Sequence, residues 1–202
     1  MKPPGNRHYR IQYWVVSLII GILPALAVNA SASAVTDGVD PVLRERLIEA
    51  VHDTRSFKDR FAAEVWLLDM STRLERFIED PQERLRILKS IHEEATRADL
   101  APELVLAVIE VESYFDRYAI SSAGAQGLMQ VMPFWLKEIG QPNDNLFDVK
   151  TNLRMGCTIL RYYLDMENGD KQKALARYNG SLGKRIYPDK VFTVLSRRWF
   201  RQ

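Results

Sequence analysis

The stretch Val111-Glu112-Ser113-Tyr114-Phe115, followed by Ser121-Ser122-Ala123-Gly124-Ala125-Gln126-Gly127-Leu128-Met129-Gln130, decides how the chain reads. Pro102 opens a predicted helix that runs to about Asp116. At 100° per residue, Leu104, Val105, Val108, Ile109, Val111 and Phe115 share one broad arc, and Glu112 lies inside it. Glu103 and Glu110 fall nearly opposite, where water is expected. A carboxylate among apolar neighbours is disfavoured as an anion, so its pKa is expected to rise. Such a group keeps its proton near neutral pH and can act as a general acid. Two plain structural readings compete: a Glu paired with a buried Arg, and a Glu that caps a loop.

The flanking segments are helical too. Residues from Asp40 to Leu100 carry an amphipathic pattern, with Phe61, Val65 and Leu68 at helical spacing. Asp80-Pro81-Gln82-Glu83 marks a helix start, with Asp as N-cap, Pro at N1 and Glu at N3. Leu85, Leu88, Ile91, His92 and Ala95 then share a face. Residues 117–130 are small and Gly-rich and read as loop. Pro133 starts a short helix stopped by Gly140, and Asp148 caps a helix running to about Glu167. Further helices are predicted over about Gln172–Tyr178 and Lys190–Trp199. No period-2 strand appears, so the fold class is mainly α.

The first 34 residues stand apart. Lys2, Arg7 and Arg10 precede an apolar run from Trp14 to Val28, and Asn29-Ala30-Ser31-Ala32-Ser33-Ala34 follows. That is the pattern of a secretory signal peptide cleaved after Ala34 or Ala32, with an uncleaved anchor as the alternative. The mature chain would start near Val35, be periplasmic, and keep no stable membrane insertion. The whole chain has net charge +2, but residues 1–34 hold three of its 28 basic residues and none of its 26 acidic ones. The mature charge is therefore about −1, and nothing points to nucleic acid as a partner. Cys157 is the sole cysteine, so no internal disulfide forms. His8, His52 and His92 show no metal spacing, and neither metal nor cofactor is expected.

Four blocks from about Leu100 to Arg198, in order, carry a resemblance. They are Glu112-Ser113, then Gly127-Leu128-Met129-Gln130 with Met132-Pro133, then Asn152-Leu153-Arg154-Met155-Gly156, then Ala174-Leu175-Ala176-Arg177-Tyr178-Asn179-Gly180. Together they resemble the catalytic domain of Slt-type lytic transglycosylases, which have a lysozyme-like fold. The resemblance implies a catalytic domain at 98–202, which with the pattern readings divides the chain into a signal peptide at 1–34, a helical N-terminal extension at 35–97 and that domain. It implies that Glu112 is the single catalytic acid and base and that Tyr178 hydrogen-bonds it. Ser121, Gln130 and Met132 would line the subsites, and Asn179 would support the loop and the sugar contacts. Arg177 departs from the family pattern, where many relatives have Ala. The region 35–97 gains no function from the resemblance.

The residue chemistry fits those roles. Gly124 and Gly127 let backbone approach a bulky glycan. Gln130 and Asn179 offer donors and acceptors for N-acetyl and hydroxyl groups. Phe134, Trp135, Tyr162, Tyr163 and Tyr178 are candidate platforms for sugar rings, each with core packing as its plainer role. The resemblance further implies peptidoglycan glycan strands as substrate and a product ending in 1,6-anhydro-N-acetylmuramic acid. A goose-type lysozyme would hydrolyse the same bond and need a second acidic residue, for which Asp116, Asp144 and Asp148 are the candidates. A non-catalytic glycan-binding component of a secretion apparatus is the reading from another class. Service to cell-wall or secretion machinery is compatible with either.

Overall fold

The computed structural model describes residues 56, 57 and 59–200. The expected signal peptide, its cleavage site and residues 35–55 of the extension lie outside the described residues. Within them the chain is mainly α-helical. No strand is present there, only the isolated bridges Ile120–Gln126 and Gln126–Val131. The helices are α1 (Arg60–Leu74), α2 (Pro81–Arg97), α3 (Pro102–Ser113), α4 (Trp135–Ile139), α5 (Val149–Met166), α6 (Lys171–Tyr178) and α7 (Ile186–Val194). A π-helical turn, Leu195–Trp199, closes the series. No described helix is long and apolar enough to cross a membrane.

The helix starts follow from local chemistry. Asp80 accepts from the amides of Gln82 and Glu83 at 3.0 and 3.3 Å, with Pro81 at the first helical position. Asp148 accepts from Thr151 N at 2.8 Å, and Asp170 from Lys173 N at 3.0 Å. Each such cap contributes about 1 kcal/mol. Packing contributes more. Leu104, Val105, Leu106, Val108 and Ile109 of α3 are essentially removed from water. At about 2 kcal/mol per side chain, that burial is worth about 10 kcal/mol before the opposing conformational entropy is counted. Helix α3 is thus the central strut, with α2, α7 and the π-turn packed around it.

Because α3 is enclosed on nearly every side, two sequence expectations fail. Glu110 does not face water. It is 5% exposed, ion-paired with Arg198, and accepts from Trp199 Nε1 at 2.8 Å. Glu103 is half-buried and accepts from Trp66 Nε1 at 2.8 Å. The periodicity of α3 located an apolar arc but could not show that other helices cover the opposite side. A third correction concerns α1. Phe61 and Val65 are 75% and 40% exposed, and the buried face is Ala63, Trp66, Leu67, Met70, Ser71 and Leu74. Apolar residues lie nearly all round this helix, so spacing alone left its phase open. In α2 the expected face is seated: Leu85, Leu88, Ile91 and Ala95 are buried and His92 half-buried. Burial holds the His92 imidazole down to about pKa 4.

The last expected helix also differs. It starts at Ile186, four residues early, and its final turn widens into the π-form. That turn carries Arg198 and Trp199 to Glu110, and the Trp199 ring meets Phe77 and Phe115 at centroid distances of 6.3 and 5.7 Å. Glu110→Gln should therefore destabilise the fold. Removing the anion strands Arg198, and losing one partner of a mostly buried pair costs about 3 kcal/mol. Urea denaturation at pH 7 should show a lower midpoint with an unchanged slope. A midpoint within error of wild type would show that the pair is dispensable.

Candidate active site

Glu112 is the penultimate residue of α3. The helix stops abruptly there, because Tyr114 and Phe115 both adopt left-handed backbone, with φ of 52° and 66°. Two consecutive non-glycine residues in that region are unfavourable on their own and are held by their surroundings. Buried Phe115 packs on Phe77 and Trp199, while the Ser113 hydroxyl bonds Leu128 O at 2.8 Å. The helix end is thereby fixed to the Gly-rich loop.

Asn152 of α5 holds that loop from below. Its Oδ1 accepts from Met129 N, and its Nδ2 donates to Gln126 O and Leu146 O, all at 2.8 Å. Gly127 has φ +75°, and a Cβ there would lie 2.4 Å from both Asn152 Nδ2 and Leu146 O. Only glycine lets the loop come this close. Gly156, one turn further along α5, gives the loop similar clearance, since a Cβ there would meet Met129 Sδ at 2.5 Å.

The Glu112 carboxyl is half-buried, and its Oε1 accepts from the Tyr187 hydroxyl at 2.6 Å. No other hydrogen bond to it exists among the described residues. Burial pushes its pKa up to about 7, against a smaller downward pull from the Tyr187 hydrogen bond. The Tyr187 phenol is itself pushed well above its usual range by burial and by the Glu112 charge, so it remains a donor. The carboxyl opens on a cleft of about 360 Å³ lined by Val111, Asn179, Ser181, Lys184, Ile186, Tyr187 and Lys190. A second cleft of about 530 Å³ shares Val111, Ile186 and Lys190 with the first and adds Tyr114, Asp189 and Thr193.

The residues singled out from the sequence separate into two groups. Glu112 and Asn179 meet at the first cleft. Tyr178 is near enough for the Glu112 charge to act on its phenol. The expected hydrogen bond between the two is not formed, however. The Tyr178 hydroxyl donates instead to Met129 O at 2.8 Å, so it braces the loop that Asn152 holds from the other side. Ser121, Gln130 and Met132 belong to the loop group. Ser121 Oγ accepts from Ala125 N at 3.0 Å. Gln130 Nε2 donates to Ala119 O and Gly127 O at 3.1 and 2.9 Å, and its Oε1 has no partner among the described residues. Met132 is half-buried at the end of the loop. Arg177 is ion-paired with Glu167. Of the candidate ring platforms, Phe134 and Tyr162 are exposed and Tyr163 and Tyr178 are half-buried on the core. Cys157 is buried, and burial pushes its thiol well up, which leaves it an inert core side chain.

Sequence reasoning missed Tyr187, Lys184 and Lys190. Tyr187 lies 75 residues from Glu112, on a helix whose predicted start fell beyond it. The one available signal was its spacing with Val191, which places both on the buried face of α7.

Comparison with known proteins shows the family. A family model described as "Transglycosylase SLT domain" matches residues 89–189, half of the chain. The chain belongs to the SLT transglycosylase domain family. It is 36% identical over 100 residues to a "Transglycosylase" of Enterobacteria phage PRD1, covering 46% of this chain and 37% of that protein. It is 33% identical over 144 residues to a "Membrane-bound lytic murein transglycosylase C" of Histophilus somni, covering 55% of this chain and 40% of the relative. A Yersinia pestis protein of the same name is 33% identical over 114 residues, covering 48% and 32%. The chain thus spans two fifths or less of the length of these relatives. The SLT match begins inside α2, so α2 shares both the core and some of the family match with the helices that follow.

Two measurements check the electrostatics. Tyr187→Phe removes the hydrogen bond that lowers the Glu112 pKa, so NMR titration of that carboxyl should show a midpoint above the wild-type value of about 7. An unchanged or lower midpoint would contradict the assigned partner. The second uses linkage. A carboxyl raised from 4.5 to about 7 on folding contributes stability below pH 4.5 that is lost as pH rises through 7. Glu112→Gln lacks this loss, so its Tm should gain on wild type between pH 4.5 and 7.5 and hold that gain above.

Proposed function

We propose that the chain is a peptidoglycan lytic transglycosylase with Glu112 as its single acid and base. The observation that carries this reading is a half-buried carboxyl with a pKa near 7 in a cleft where it is the sole carboxylate among the described lining residues. The candidates for a second one are engaged elsewhere. Asp144 is ion-paired with Arg154 and accepts from Gln141 N. Asp148 caps α5. Asp116 accepts from Tyr118 N at 2.8 Å. A hydrolase of two-carboxylate design would need one of them free to position water. The names of the similar proteins support the same substrate class.

The reaction balances without water. Protonated Glu112 gives its proton to the oxygen joining C1 of N-acetylmuramic acid to C4 of N-acetylglucosamine. The C1–O bond breaks, and its electron pair leaves with that oxygen. The substrate's own N-acetyl oxygen stabilises the cationic C1. Glu112, now an anion, takes the proton of the muramic 6-hydroxyl as O6 bonds to C1. The acid is regenerated, and the product is the 1,6-anhydro sugar. The nucleophile is tethered to the electrophile, with an effective molarity on the order of 10⁵ M or more, against about 55 M for water. The Tyr187 hydroxyl steadies the carboxyl in both states. Asn179, at the cleft edge, is suited to an N-acetyl group. Such a substrate lies outside the cytoplasm, consistent with the export signal read from residues 1–34.

Digestion of purified peptidoglycan followed by mass analysis tests this. Fragments should end in anhydromuramic acid, about 18 Da lighter than hydrolytic ends because an internal alcohol replaces water. Glu112→Gln should lower kcat at least 10³-fold while remaining folded, and wild-type activity should fall as pH rises through about 7. Reducing muramic ends as the main product would favour the lysozyme-type hydrolase. No cleavage, with glycan binding retained, would favour the non-catalytic glycan-binding reading.

A further inference from the structure

Lys184 and Lys190 are the two cations that line the Glu112 cleft. Lys190 also lines its neighbour. Neither has an acidic partner among the described residues. Nearby Arg185, by contrast, is engaged by Asp189 at 3.5 Å, and most described arginines are ion-paired. Glu112 does not serve as their counter-ion: its carboxyl is turned to Tyr187 and makes no ion pair with either lysine. The cleft therefore holds more positive charge than its own residues balance, with Val111 and Ile186 as its apolar lining. A neutral glycan does not call for this. N-acetyl and hydroxyl groups are met by amides and hydroxyls, which Asn179 and Ser181 already supply. Two unpaired ammonium groups suit a ligand with carboxylates.

We propose that Lys184 and Lys190 dock the carboxylates of the peptide carried by the muramic acid beside the scissile bond, so that the enzyme selects peptide-bearing over peptide-free glycan. This rests on the proposed action on peptidoglycan. The peptide is joined by an amide to the lactyl group of the same sugar whose C1 reacts, so it leaves the sugar beside the scissile bond and its carboxylates fall along the rim of the cleft. Ammonium groups on flexible stems can follow a peptide of varied sequence, whereas a planar arginine fork would demand one geometry. An exposed charge contact of this kind is modest and screened by salt. Two together, bordering a partly desolvated cleft, support about a tenfold preference, equivalent to 1.4 kcal/mol.

The test uses the full chain carrying Glu112→Gln, which binds without cleaving. Its Kd is measured for a peptide-bearing tetrasaccharide and for the same glycan stripped of peptide by an amidase, with the lactyl carboxylates so freed capped as methyl amides to leave the reference ligand uncharged. The peptide-bearing ligand should bind about tenfold more tightly at low salt, and the ratio should shrink at 0.5 M NaCl. Adding Lys184→Ala and Lys190→Ala should bring the ratio close to one, and the Lys→Arg pair should keep most of it. Equal affinity for the two ligands, or a preference that survives the alanine pair, would overturn the proposal. A binding preference that behaves as expected, with no cleavage of either ligand by wild type, would instead sink the transglycosylase reading and leave the docking role standing.

Discussion

Two carboxylates, two positions apart at the end of one buried helix, are kept in opposite electrical surroundings, and the site depends on that separation. Glu110 is met by the Arg198 guanidinium and the Trp199 indole N–H. Glu112 is met by one neutral hydroxyl. The same low-dielectric interior acts on both, but a cation compensates the first charge while nothing of comparable strength compensates the second. An ion-paired carboxylate and a carboxyl of raised pKa thus arise from the same residue type. The partition relies on the C-terminal π-turn, because an ordinary last turn would aim Arg198 and Trp199 differently. If a cation reached Glu112 instead, its anion would be favoured and its proton lost well below neutral pH.

The Gly-rich loop solves a related problem. It must approach the end of α3 without regular secondary structure, and its buried backbone groups need partners. Asn152 meets two of them with one side chain and ties them to Leu146 O, while Ser113 meets a third and Tyr178 a fourth. Tyr178 thus acts on the site through Met129 rather than by touching the acid. A motif tyrosine close to a catalytic carboxyl need not be its hydrogen-bond partner. Here the partner comes from the next helix along, and the motif residue shapes the wall.

Legibility from the sequence followed the range of the interactions. Features set within a few residues were readable: the Asp80, Asp148 and Pro102 helix starts, the Gly140 stop, the loop between α3 and α4, and the burial of Cys157. Glu112 was legible because an apolar arc surrounds it in its own helix. What stayed hidden depends on partners far along the chain. The burial of Glu110 needs Arg198, 88 residues away, and the hydroxyl on Glu112 comes from Tyr187, 75 residues away. The phase of α1 was hidden for another reason. Its apolar residues encircle the helix, and the Trp66–Glu103 contact, the neighbouring α2 and the π-turn reached by Arg73 select the face.

The near-neutral pKa also suits the demands of a one-carboxylate reaction. A stronger acid would rarely hold the proton needed for the first step, and a weaker one would bind it too tightly to give it up as the leaving group departs. In the second step the same group must take a proton back from an alcohol, where a more basic anion is better. A value close to the working pH compromises between the two. Burial supplies the basicity, and the Tyr187 hydroxyl trims it. An enzyme that recruits water can divide these tasks between two groups tuned in opposite directions. With a nucleophile already attached to the substrate, one group suffices, provided its surroundings remain poised between its two forms. The tyrosine achieves this because, unlike a lysine or arginine in the same place, it stabilises the anion without adding a charge that would fix it.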